Sequence, residues 1–365
     1  MLEFAFEHRL DGFHLAPALT VDRAVTALYG PSGSGKTLTL LCLVGLLRPE
    51  RGWIRLNGRT LFDAAAGIHV PPHQRRVGLV FQEYALFPHL TVAANLAYGL
   101  RGTPRAEVQG RVEAMLRLLR LEGFGRRYPG ALSGGQRQRV ALGRGLILQP
   151  ELLLLDEPFS ALDQMERERL RAEVVDLLHG FGGKTVLVTH NLQEAYLMAH
   201  QIAVIAGGRI LQAASRDEVL QCPRNRRVAE HVGVANIIRG VVAASGSSPT
   251  VVEMHGARLS VTDPLPAPGT PVEVCIRSED VRLVWPDRLG ERANVLGGLI
   301  TSEVQRRADY LVRVRPEGPA GDLGPIEVQC SAHLHSMMKL HPGKAVWIAL
   351  PPEKLHVLEP IGEDR

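Results

Sequence analysis

Apolar residues fall in short unbroken runs along the first two thirds of this chain and in alternation along the last third. Ala24-Val-Thr-Ala-Leu-Tyr29, Leu152-Leu-Leu-Leu155 and Thr185-Val-Leu-Val-Thr189 are too short for helices and read as buried strands of a parallel sheet. Thr37–Leu47 is apolar nearly throughout and long enough for a buried helix, while Glu107–Leu121 carries the charged, amphipathic pattern of a surface helix. After about residue 235 helical runs vanish, Gly and Pro rise, and short alternating segments predict β structure. The pattern predicts an α/β domain over residues 1–235 and an all-β domain over 236–365. A length of 365 residues accommodates both.

The last third also repeats itself. Asn236-Ile-Ile-Arg-Gly-Val-Val242 echoes Asn294-Val-Leu-Gly-Gly-Leu-Ile300, Pro268–Val272 echoes Pro342–Val346, and Ile276–Leu283 echoes Leu350–Val357. Each unit is too small to bury a core alone, which predicts a pair of OB-like barrels.

The loops between the buried runs carry the chemistry. Gly30-Pro31-Ser32-Gly33-Ser34-Gly35-Lys36-Thr37 has the form G-x-x-x-x-G-K-[ST] and lies between a strand and a helix start. Its glycines let successive N–H groups turn inward on a triphosphate, and the helix dipole adds to the attraction. Lys36 is expected to reach the β- and γ-phosphates of ATP, and the Thr37 hydroxyl to ligate Mg²⁺. The four-leucine strand ends in Asp156-Glu157, where open α/β sheets bind ligands. Asp156 is expected in the Mg²⁺ shell and Glu157 as the base that polarises the attacking water. The fold class expected is therefore an α/β P-loop NTPase followed by an all-β OB-like domain.

With Leu132-Ser-Gly-Gly-Gln136 added to these two motifs, the chain resembles the ATP-binding subunit of an ABC transporter. The landmarks of that family occur in order: Walker A at Gly30–Thr37, the Q-loop at Gln82, and the signature at Leu132–Gln136. Walker B follows at Leu152–Glu157, the D-loop at Ser160–Asp163 and the switch histidine at His190. The resemblance implies a nucleotide-binding domain with a helical subdomain at about 83–145. It also implies a homodimer that sandwiches ATP between Walker A of one copy and Ser133, Gly134, Gly135 and Gln136 of the other, with Asp163 at the same interface. Gln82 would touch the Mg²⁺, and His190 would orient the attacking water together with Glu157. The segment holding Tyr84, Leu86, Phe87 and Pro88 would line the groove for a membrane permease subunit. An aromatic partner for adenine is sought at Phe13 or His14, and Asn191 stands where many relatives have Asp. Arg75 and Arg76 are expected on a solvated face.

Composition narrows the class. Lys+Arg 42 against Asp+Glu 38 leaves +4, and aromatics are 5%, so no nucleic-acid partner is expected. Cys42, Cys222, Cys275 and Cys330 lack metal-type spacing and read as reduced thiols. No signal peptide opens the chain, and no apolar run approaches the roughly twenty residues that span a bilayer. The expected location is peripheral, on the cytoplasmic face of the cell (inner) membrane. Integral permease subunits would supply the pore and a periplasmic or extracellular solute-binding protein the selectivity.

The C-terminal region resembles the TOBE (Mop-like) domains of importer ATPases. Together with Met1–Phe4, Leu56–Asp63 and Pro72–Gly78, it looks most like the molybdate importers. Sulfate, iron(III), polyamine and sugar importers are alternatives, and Ser331, Lys339 and Lys344 are candidates for oxyanion lining. A soluble ABC ATPase is disfavoured by the single cassette without heptads, and a non-hydrolysing scaffold by the presence of Glu157 and His190.

Overall fold

Leu152, Leu153, Leu154 and Leu155 are all fully buried, and the sheet they sit in organises the N-terminal part of the chain. A computed structural model describes residues 1–244, 250–254 and 257–360. Packing divides the chain into two units, Met1–Arg216 and Asp217–Arg365. The short helices before residue 235 thus group with the second unit, ahead of the boundary drawn from composition.

The first unit begins with β1 (Leu2–Leu10), β2 (Phe13–Leu15), β3 (Ala18–Val21), β4 (Val25–Tyr29) and α1 (Lys36–Val44). Next come β5 (Arg51–Leu56), β6 (Arg59–Asp63), β7 (Ile68–His69), β8 (Val77–Val80), α2 (Val92–Ala97), α3 (Arg105–Leu118) and α4 (Gly134–Leu146). It ends with β9 (Leu152–Asp156), α5 (Gln164–His179), β10 (Lys184–Thr189), α6 (Leu192–Met198), β11 (Gln201–Ala206) and β12 (Arg209–Ser215). The central sheet has the order β12-β11-β4-β10-β9-β8, parallel except for the edge strand β12. Its inner strands are buried on both faces, which is why they read as continuous apolar runs rather than alternations. Each leucine of β9 taken out of water contributes about 2 kcal/mol. A second, antiparallel sheet of β1, β2, β3, β5, β6 and β7 packs Phe4, Ile54 and Phe62 into the same core as α1.

Arg75 corrects the sequence reading. Arg76 is solvated, but Arg75 is buried (1% exposed) at the C-terminal end of α1. Its Nη1 donates to the carbonyls of Cys42 (2.9 Å) and Leu43 (2.8 Å), and its Nε to that of Val70 (2.8 Å). Burial pulls the guanidinium down to about 10 and pushes the neighbouring Cys42 thiol up to about 12. The last carbonyls of a helix need donors, and here one cation supplies them.

The second unit contains α7 (Arg216–Gln221), α8 (Arg226–His231), β13 (Asn236–Ala244), β14 (Thr250–Met254), β15 (Ala257–Val261), β16 (Pro271–Ile276) and β17 (Arg282–Val284). After these come β18 (Val295–Gln305), β19 (Asp309–Pro316), β20 (Ile326–Ser331), α9 (Ala332–Met337), β21 (Ala345–Ala349) and β22 (His356–Leu358). Two five-stranded sheets have the orders β15-β14-β13-β16-β22 and β17-β21-β18-β19-β20. The repeated segments become equivalent strands, since β13 pairs with β16 as β18 pairs with β21. The short fifth strands are exchanged: β22 closes the first sheet and β17 the second. One apolar cluster, including Val252, Val274, Val312, Val328 and Ile348, draws on both sheets, so neither repeat has to hold a core alone. Helix does return at α9, where the Ser331 hydroxyl caps Leu334 N. That cap, and the Lys344 Nζ bonds to the carbonyls of Met338 and Lys339, give the Ser331 and Lys344 side chains, expected to line an oxyanion site, local structural partners. The last five residues of the expected second domain, 361–365, lie outside the described residues.

Candidate active site

The motif residues emerge side by side because four strands end at one level. Val80 of β8 lies beside Leu155, Asp156 of β9 beside Val188, and Thr189 of β10 beside Tyr29 of β4. The loops that follow carry, in order across the sheet, Gln82, then Asp156 and Glu157, then His190, then Gly30 to Thr37. This is the carboxyl edge at which open α/β sheets hold ligands. A separate cavity of about 770 Å³, lined by Met115, Leu119, Arg139, Leu170, Glu173 and Phe181 among others, contains none of these residues.

Between β4 and α1 the loop has little freedom. A Cβ on Gly30 would lie 2.0 Å from the Ile205 carbonyl oxygen, so only glycine fits where β11 passes. Gly35 precedes α1 with φ +99°, a conformation glycine adopts without strain. The Phe13 ring lies against Gly35, whereas His14 turns to Glu7 (3.4 Å), so of the two candidate aromatics only Phe13 is at the loop. Pro31, Ser32 and Gly33 face solvent, and Ser34 Oγ is buried with no hydrogen-bond partner. Lys36 Nζ is folded onto the carbonyls of Gly30 (2.9 Å) and Pro31 (2.8 Å). Burial holds the Lys36 ammonium below its ordinary pKa, with Glu157 and Asp156 acting in the opposite sense.

Thr37 Oγ1 donates to Asp156 Oδ1 at 3.1 Å, which joins the two expected metal ligands across the sheet edge. Burial raises the Asp156 carboxyl; the Thr37 hydrogen bond opposes it, nearby Glu157 adds to it, and Lys36 opposes it. A buried carboxylate beside a hydroxyl is a hard oxygen pair that a small divalent cation would relieve. Glu157 Oε1 and His190 Nδ1 are 3.0 Å apart. Glu157 has φ +42°, uncommon for a residue with a side chain, and its backbone is fixed on both sides. Its N–H donates to Val188 O (3.0 Å), and its carbonyl accepts from Ser160 N (3.2 Å) and Oγ (3.0 Å).

The remaining motif residues sit apart from this cluster. Ser133 caps α4 in a reciprocal box with Gln136, the two bonds being 3.3 and 3.0 Å. Gly134 and Gly135 therefore form the first turn of α4, next to Leu162 and Glu166. Asp163 caps α5 by accepting from Glu166 N at 2.9 Å. Gln82 is exposed in the turn after β8.

Three positions escaped the sequence reading. Asn95, fully buried in α2, accepts from Phe87 N (2.9 Å) and donates to the carbonyls of Phe87, Leu90 and Thr91. Arg144 of α4 donates to the carbonyls of Ala85 (2.7 Å) and Tyr84 (3.2 Å). Between them they hold the segment after Gln82, in which Tyr84 and Ala85 have positive φ. The third is the buried pair Arg171–Glu194 at 2.7 Å. A lone polar residue inside an apolar helix run, such as Asn95 among Val92 and Leu96, was the available signal.

Known proteins resemble this chain. Residues 19–160 match the family model described as ABC transporter. The chain is 43% identical over 263 residues to the spermidine/putrescine import ATP-binding protein PotA of Rubrobacter xylanophilus, covering 70% of this chain and 68% of that protein. It is 41% identical over 331 residues to the sulfate/thiosulfate import ATP-binding protein CysA 2 of Chromobacterium violaceum, covering 90% of this chain and 86% of that protein. The solved structure of cbiO1 from Clostridium perfringens, part of the ABC transporter complex cbiONQ, superposes with a TM-score of 0.53 at 27% identity. That match covers 60% of this chain and 89% of the other. The chain belongs to the ABC transporter family, as one of its ATP-binding, ATP-hydrolysing subunits.

Proposed function

We propose that this chain is the motor of an ABC import complex, acting as a pair of copies that close on two ATP molecules and open on hydrolysis. The observation that carries the reading is the level line of Glu157, His190 and the Gly30–Thr37 loop, with Glu157 and His190 in contact at 3.0 Å. Lys36 and the N–H groups of residues 33–37 bind the β- and γ-phosphates. Thr37 and Asp156, with Gln82, would hold a Mg²⁺ ion, which would supply charge neutralisation of the phosphates. Glu157 takes the proton of the attacking water, and His190 holds the carboxylate and water in line. Ser133, Gly134, Gly135 and Gln136 of the partner copy close on the γ-phosphate, with Asp163 at the same interface. No described helix is long and apolar enough to cross a membrane, which fits a peripheral subunit that uses integral permeases for the pore.

For the cargo, the relatives above are named for sulfate/thiosulfate and for spermidine/putrescine, not for molybdate. Over nearly the whole chain the sulfate/thiosulfate relative is 41% identical (90% of this chain), whereas a spermidine/putrescine import relative from Clostridium novyi is 32% identical (92% of this chain). That difference supports an oxyanion, with sulfate or thiosulfate ahead of molybdate; polyamine is the second reading. The test is uptake of labelled sulfate, molybdate and putrescine in cells lacking the gene, complemented by wild type or by Glu157→Gln. Sulfate uptake restored by wild type alone, with Glu157→Gln still binding ATP but at least about 100-fold slower in hydrolysis, is the expected result. Loss of putrescine uptake alone would transfer the cargo to polyamine, and wild-type hydrolysis by Glu157→Gln would remove it as the base.

A further inference from the structure

We infer that Arg171 and Glu194 are positioning residues for the attack step, through which α5 sets the place of His190 over Glu157. This rests on the roles proposed above for Glu157 and His190. A closed ring of bonds carries it. His190 meets Glu157 at 3.0 Å, and the Glu157 carbonyl accepts from Ser160 Oγ at 3.0 Å. The chain then runs from Ser160 into Asp163, which caps α5, and Arg167 Nη2 ties the helix back to Leu162 O at 2.9 Å. About two turns along α5, Arg171 Nη2 donates to Glu194 Oε1 at 2.7 Å. The other oxygen, Glu194 Oε2, accepts from Thr189 Oγ1 at 2.7 Å, and Thr189 Oγ1 accepts from Asn191 N at 3.0 Å. Asn191 Oδ1 in turn accepts from Glu194 N at 3.2 Å. Thr189 and Asn191 flank His190, so the ring returns to its start.

The geometry favours positioning over simple packing for two reasons. His190 is half exposed, so its place follows from the backbone on either side of it, which is where the bonds of Glu194 end. The pair itself is buried, with side chains 10% and 7% exposed, and a buried ion pair contributes little to stability that apolar residues could not. What charge adds is a defined distance and direction. Asn191 caps α6 through its amide oxygen, which accepts the Glu194 N–H. A shift of the Asp163 loop, as the paired copies close, is thus passed along α5 to the histidine at fixed length.

The test is steady-state ATP hydrolysis by the purified full chain. Glu194→Gln keeps the shape of the side chain and removes the charge. It is expected to lower kcat about 10-fold while KM for ATP stays within about 2-fold, because nucleotide is held by other loops. Arg171→Met should behave alike and Arg171→Lys should recover part of the loss. The decisive arm repeats Glu194→Gln in a His190→Ala background, where its further effect should fall below about 2-fold. Where Arg171→Met fails to fold, Thr189→Val removes two bonds of the ring, to Glu194 Oε2 and from Asn191 N, and is expected to give about a 3-fold loss by the same comparison. Equal losses with and without His190, or a kcat that falls only in step with the folded fraction in thermal unfolding, overturn the inference alone. Absence of hydrolysis by the wild type overturns the motor reading and this inference with it.

Discussion

Two carboxylates, Asp156 in the first unit and Glu273 in the second, are held in opposite ways. Asp156 sits at the end of a buried strand, and burial raises its carboxyl. Burial also pushes Glu273 up, but hydrogen bonds and charge from Arg239 and Arg226 outweigh it, and the net direction is down. The first unit therefore keeps a carboxyl whose charged form burial disfavours at the carboxyl edge of its sheet, together with the left-handed Glu157. The second keeps its charges paired over a core that is apolar throughout. Strained charge at the carboxyl edge of a parallel sheet marks work on a ligand, and satisfied charge marks scaffold.

Arg75 is where this contrast is most easily broken, since it is a buried charge of the first unit that is fully satisfied. Arg75→Met would leave the carbonyls of Leu43 and Val70 without the guanidinium donor in a dry site, and that of Cys42 with only its bond from Gly45 N. The expected cost is about 3–5 kcal/mol, from lost bonds and lost packing together. Thermal unfolding followed by circular dichroism should show the transition lowered by about 10 °C. A drop below about 2 °C would mean water replaces the guanidinium, and that burial in this unit is softer than the structure implies.

Why Arg75 was misread shows what a sequence carries. The Gly30–Thr37 loop, the four leucines and Asp156–Glu157 were legible because each depends on local spacing and on burial along one strand. The repeat in the last third was legible for the same reason. Arg75 is followed by Arg76, and nothing local distinguishes the buried one from the solvated one. Its Nη1 partners, Cys42 and Leu43, lie more than thirty residues away in α1, at a point fixed only by tertiary packing. Arg144 and the Arg171–Glu194 pair escaped for that reason too, and so did the exchange of β17 and β22 between the two sheets. Motif positions are written in short range; what holds them is written in long range.

Asp156→Asn tests the strained side of the comparison, with a smaller effect of opposite sign. A carboxyl raised above its ordinary 3.8 favours folding only while protonated, so stability is lost as pH rises through the folded-state value. At neutral pH without nucleotide, the Asn variant should therefore unfold about 2–4 °C higher than wild type, the effect of about 1 kcal/mol on a unit of this size. The gain should narrow as pH falls and vanish below 3.8, where both side chains are neutral. Addition of Mg²⁺ and ATP should reverse the order, because only the wild type keeps its full affinity for the pair. A variant less stable than wild type at pH 7 would show that the Thr37 hydrogen bond outweighs burial.

Glu273→Gln tests the satisfied side and should do least. Arg226 of α8 (2.8 Å) and Arg239 of β13 (3.0 Å) both donate to its Oε1; the Arg239 side chain is 75% exposed and that of Arg226 36%. With its pKa lowered from the ordinary 4.5, Glu273 contributes stability above that value, which is lost as pH falls through the lower, folded-state one. Screening and the entropy of two long side chains keep the contribution below about 1 kcal/mol, so the second unit should unfold within about 3 °C of wild type. Added salt should shrink even that difference, since exposed pairs are screened and buried ones are not. A loss several times larger and insensitive to salt would give Glu273 a structural weight like that of Arg75. Paired charge in the second unit would then be a clamp that fixes α8 to β13, not a solvated surface, and the division between strained and satisfied carboxylates would no longer separate motor from scaffold.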